Sequence, residues 1–163
     1  MKTMNNNEGH KLMNEEFDFS KVPSWYTLCT NNSCPLKGEC LRHLTAQNAP
    51  DDLEMAKCVM PKALRNGECQ WFDKITIGTW AAGFSHLFDK VMKKDYTVMR
   101  KNLTSYLHGP RIYYEYKRGE RALSPEEQQT IRDYVKSMGY DWEVEFDRYF
   151  EQYVFHHREV KEQ

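Results

Sequence analysis

Three cysteines fall within twelve positions of this chain, in CTNNSCPLKGEC, where Cys29, Cys34 and Cys40 follow a C-x4-C-x5-C spacing. The chain has 163 residues and only five cysteines, the other two being Cys58 and Cys69. Thiols gathered in this way constrain the segment that bears them, because ligands that converge only in the folded state couple metal binding to folding. Structural zinc most often draws two thiolates from a C-x2-C turn, a spacing this sequence lacks. Wider spacings serve when a loop wraps the ion, and plant-type ferredoxins begin with C-x4-C. For the fourth ligand, Cys69 follows an Asn66-Gly67 turn, whereas Cys58 lies among the apolar neighbours of EMAKCVMP and reads as a packed thiol. The expected set is Cys29, Cys34, Cys40 and Cys69, holding zinc or an iron–sulfur cluster. His43 is a reserve ligand on what reads as an exposed helix face.

The alternative use of clustered thiols is a disulfide framework, and the compartment decides between the two. The start of the chain, MKTMNNNEGHKLMNEE, has acidic residues and no apolar core, so it does not read as a signal or transit peptide. No apolar run approaches a membrane span. A cytoplasmic location is expected, where disulfides are rare. The odd cysteine count agrees.

The pattern of apolar residues divides the chain. Residues 1–16 are Asn-rich and without period, which predicts a disordered tail. Residues 17–74 read as an irregular Cys-rich, metal-binding module with one short helix after Cys40. From residue 75 the period turns helical: Trp80, Phe84, Leu87, Phe88, Val91 and Met92 recur at three and four, predicting a helix. Asp95 is placed to cap the next, stopped by His108-Gly109. Pro110 opens a third that ends at Gly119. LSPEEQQTIRDYVKSMG has Ser124 as N-cap, Pro125 at the first position, Glu127 for a capping box and Gly139 past the end. A last helix is expected from Asp141, on Trp142, Phe146, Tyr149, Phe150, Tyr153 and Val154. The expected fold is therefore mainly α, an irregular Cys-rich module followed by a bundle of about five helices over residues 75–155, with a tail at 156–163.

Charge is unevenly spread. Residues 90–121 carry nine Lys and Arg against three Asp and Glu, while the whole chain has a net charge of −1. The middle of the chain is the candidate anion-binding surface. Within it, residues 96–139, from the Leu103 helix through Gly109, RIYYEYKRG and LSPEEQ, resemble the Cro/lambda-repressor-like helix-turn-helix. That resemblance puts Tyr113 and Tyr116 in the core and directs Arg111 and Tyr114 toward base edges, with Lys117, Arg118 and Arg121 toward phosphates. Over residues 20–155 the chain also resembles an uncharacterised family of small Bacteroidales proteins, in which a CP cysteine loop (Cys34-Pro35) precedes YY-x-Y-x-RGER-x-LSPEEQ (Tyr113 to Gln128). That family implies one architecture and no activity.

No catalytic motif is legible: the chain lacks G-x-S-x-G, a phosphate loop, G-x-G-x-x-G and H-E-x-x-H. His86 reads as a core histidine within an apolar helix. The expectation is a bacterial metal-stapled DNA-binding regulator and not an enzyme, dimeric if it binds DNA. The alternatives are a protein–protein interaction module or a small iron–sulfur redox or sensor protein.

Overall fold

The computed structural model describes residues 17–157, so the expected tail at 1–16 and most of that at 156–163 lie outside the described residues. The described residues form two compact units, 17–77 together with 153–157, and Gly78–Gln152.

The first unit contains one short helix, α1 (Leu41–Gln47), and a two-stranded antiparallel hairpin, β1 (Leu64–Arg65) and β2 (Glu68–Cys69). Asn66 and Gly67 both have positive φ, 52° and 79°, the tight-turn conformation for which Asn-Gly is the preferred pair. The hairpin puts Leu64 opposite Cys69. Elsewhere the backbone is held by single bridges, Leu28 with Cys58 and Cys40 with Lys74, and by 3-10 turns at Phe19–Lys21, Lys37–Glu39 and Pro61–Ala63. Its apolar cluster is small. Tyr26, Leu28, Leu41 and Phe155 are its buried members.

The second unit holds the larger core, where Phe84, Leu87, Met99, Leu103, Tyr113, Leu123, Ile131 and Val135 are essentially inaccessible to solvent. It contains α2 (Lys93–Tyr106), α3 (Pro110–Lys117) and α4 (Pro125–Ser137). A three-stranded sheet has the order β4 (Ala122–Leu123), β3 (Ile77–Ala82), β5 (Arg148–Tyr153), with Ala81 opposite Leu123. The α4 start forms as its sequence dictates: the Ser124 hydroxyl accepts from the Glu127 N–H, and the Glu127 carboxylate accepts from the Ser124 N–H. α2 begins earlier than Asp95 suggests, with Met92 as its N-cap. The Asp95 carboxylate instead accepts the Tyr140 hydroxyl at 2.7 Å.

The expected mainly α fold with about five bundled helices is corrected to a mixed α/β fold, with four α-helices and two antiparallel sheets among the described residues. Two expected helices account for the difference. Residues 77–82 (IGTWAA) form a strand, and Gly83 (φ +81°) ends it. A Cβ at Gly83 would run into the Asp147 carboxylate, which accepts from the Ser85 N–H and hydroxyl. Phe84 to Val91 then turn through successive three-residue bonds, Leu87 to Phe84, Asp89 to His86 and Val91 to Phe88. Such turns repeat apolar residues at three and four without an α-helix, which explains the misleading period. His86 is not in an apolar helix: its side chain is 82% exposed, 2.8 Å from Asp89. The expected helix from Asp141 is an extended segment leading into β5. Val144 and Phe146 are buried while Glu143 and Glu145 are exposed, the period-two alternation of a half-buried strand.

Candidate metal centre

Backbone pairing within the first unit brings the cysteines into one neighbourhood. The Cys29 N–H donates to the Arg42 carbonyl (3.1 Å), one residue from His43, and the Leu41 N–H donates to the Asp73 carbonyl (2.7 Å). Cys40 thereby precedes α1 beside the segment that follows Cys69. Cys34 closes a turn whose N–H donates to the Asn31 carbonyl (3.2 Å). Cys29, Cys34, Cys40 and Cys69 line a single cavity of about 20 Å³, room for roughly one water-sized occupant. Leu36, Val59, Trp71 and Phe72 supply apolar wall, and Lys37, Arg42 and His43 the remainder.

All five cysteines are free thiols. Burial pushes the Cys29 thiol up from its ordinary value, offset by a backbone N–H from Asn31 and reinforced by the sulfurs of Cys40, Cys34 and Cys69. Among the described residues, no three His, Cys, Asp or Glu side chains are gathered closely enough to hold a metal ion as they stand. Cys58, read from sequence as a packed thiol, is exposed and does not line the cavity.

Two neighbours of the thiols differ from their sequence reading: His43, the reserve ligand, in its burial, and Arg42, which the sequence did not mark at all. His43 is buried, at 8% exposure, and not on an exposed face. Its Nδ1 has no hydrogen-bond partner. The signal in the sequence was its C-x2-H spacing from Cys40. Arg42 is 3% exposed and takes part in no ion pair among the described residues. Its guanidinium donates to the carbonyls of Trp71 (2.8 Å), Thr27 (2.9 Å) and His156 (3.4 Å). It also lies over the rings of Tyr26 and Trp71, at 4.6 and 5.6 Å. No local pattern marks an arginine for burial, since the carbonyls that receive it come from segments distant in the chain.

The residues assigned to DNA lie in the second unit, on and after α3. Tyr113 and Tyr116 are buried there. Arg111 and Arg121 both reach the Glu115 carboxylate, at 3.3 and 2.9 Å, and Arg118 reaches Glu120 at 2.6 Å. The hydrogen bond from Arg121 leads the effects that hold Glu115 below its ordinary value. Lys117 is half-buried. Tyr114 is exposed and lines a cleft of about 340 Å³ with Thr97, Arg100, Lys101, Thr104 and Pro110. No helix among the described residues is long and apolar enough to cross a membrane.

No curated protein matches the chain, and no solved structure matches it. Residues 13–155 match a family of unknown function, DUF6078. The chain belongs to the DUF6078 family, a family of unknown function, over nearly its whole length.

Proposed function

We propose that the first unit is a metal-binding module in which Cys29, Cys34, Cys40 and Cys69 provide thiolates to a single divalent ion of the zinc class. The observation that carries this reading is that four cysteines spread over residues 29–69 line one ion-sized cavity, while the fifth stands outside it. A cavity of about 20 Å³ favours one ion over an iron–sulfur core, which adds sulfide and further iron. The buried Arg42 supports an anionic occupant, since buried charges are normally paired and a zinc–thiolate complex carries net negative charge. A unit whose apolar cluster has four buried members gains folding free energy from such an ion, as small cores commonly do.

The test is metal content with a visible spectrum on anaerobically purified protein. The expected result is about one zinc per chain, no visible colour, a melting temperature lowered by chelation, and retention of the metal by Cys58→Ser. Fully reduced thiols that bind neither zinc nor cobalt would overturn the reading. A brown protein containing iron and sulfide would replace it with the redox or sensor alternative.

A second reading is nucleic-acid binding by the helical unit, supported by the cleft that places Arg100 and Lys101 beside Tyr114 with neither cation in an ion pair among the described residues. Cations beside an aromatic ring suit phosphates and an unstacked base. In this reading Arg100 and Lys101 join the set Arg111, Tyr114, Lys117, Arg118 and Arg121, and the unit acts in regulation.

A further inference from the structure

Resting on the reading of this cavity as a metal site, but replacing one of its four thiolates, we propose that His43 is itself a ligand, so that the centre is a mixed site of three thiolates and one imidazole nitrogen, with one of the four cavity cysteines left over. Five soft donors line a space that admits one ion, and a tetrahedral structural site uses four. His43 is the donor that no protein group engages: its Nδ1 is buried without a hydrogen-bond partner, although buried ring nitrogens are ordinarily satisfied.

The other buried side-chain atoms without partners among the described residues are Trp80 Nε1, Tyr113 Oη and Trp142 Nε1. Those belong to the second unit, and none of them lines the thiol cavity.

The backbone also favours His43. Cys40 and His43 are joined by a 3.1 Å bond from the His43 N–H to the Cys40 carbonyl, with Cys40 as the N-cap of α1 and His43 in its first turn. A C-x2-H pair at a helix start presents a sulfur and a nitrogen from one rigid element, as C-x2-C does with two sulfurs. A neutral imidazole binding through Nδ1 keeps its proton on Nε2, and three thiols release theirs to solvent. The complex then carries one net negative charge, matched by the single buried guanidinium of Arg42.

The experiment uses the full chain with cobalt in place of zinc. Wild type is expected to give the d–d bands of a tetrahedral three-sulfur, one-nitrogen complex. His43→Ala should weaken cobalt binding by at least about tenfold, while His43→Cys should restore it with bands moved to the four-sulfur position. Among single Cys→Ser changes at 29, 34, 40 and 69, three should abolish binding and one should keep it. Adding His43→Ala to that tolerated variant should abolish binding.

Four-sulfur bands in wild type, unchanged in His43→Ala, together with loss of binding in all four cysteine variants would overturn the ligand role while leaving the metal reading intact. Wild type that binds no cobalt would overturn both. If His43→Ala fails to fold, the band position in His43→Cys against wild type still decides the matter.

Discussion

Asp73 shows how a single residue organises the first unit. It is 5% exposed, and its carboxylate accepts the Tyr26 hydroxyl at 2.6 Å while lying 2.7 Å from His156 Nδ1. Its carbonyl receives the Leu41 N–H, so one residue ties the segment after β5, the segment of Tyr26 and α1. Truncation strands the buried Tyr26 hydroxyl and removes the partner of the half-exposed His156 imidazole. Asp73→Ala is expected to cost about 2–4 kcal/mol, and Tyr26→Phe, which removes one donor, about 1 kcal/mol. Denaturant unfolding of both variants checks the order; equal losses would show that the carboxylate is no hub. Asp73 follows QWF in the sequence, with no pattern to mark it. Its partners lie 47 and 83 positions away, so only the folded chain reveals the network.

At the scale of elements, legibility followed whether the governing contacts were local. α4 was readable because its cap, first-turn proline, capping box and terminal glycine are all local. α3 was bounded by Gly109 and Gly119 for the same reason. β3 and β5 were not readable, because strands are stabilised by partners distant in sequence and because three-residue turns imitate helical spacing. Alternation of Trp142, Val144 and Phe146 with acids accompanies the extended segment before β5, but the aromatic spacing over 142–154 reads as helical.

The α2 and α3 pair also carries the test of the nucleic-acid reading. Arg118 is engaged by Glu120, whereas Lys101 has no carboxylate partner among the described residues. Lys101→Ala is therefore expected to weaken DNA or heparin retention more than Arg118→Ala, and to reduce the salt slope by about one. Retention that is insensitive to both substitutions would leave the basic stretch as a solvated face.

Across the whole molecule, buried tyrosines are expected to make stability fall at alkaline pH. Burial is the leading cause that raises Tyr26, Tyr113 and Tyr116, the second of these to about 12, with the Asp73 and Glu127 carboxylates adding to the first and third. Their folded values exceed their unfolded ones. Their contribution is thus fully present below about pH 10 and is lost as pH rises toward the folded values, because the unfolded chain releases those protons first. In a tyrosinate absorbance titration, at least these three of the ten tyrosines should ionise only as the chain unfolds. Smooth ionisation of all ten while the fold persists would contradict the burial.

By itself the sequence determined what short-range chemistry controls: the capping box of α4, the Asn66-Gly67 turn, the glycine stops and the spacing of the cysteines. Tertiary structure alone decided the strand pairing, the burial of Arg42 and His43, and the exposure of Cys58. Burial and strand partnership are properties of segments far apart in the chain, and no local period encodes which of them will meet.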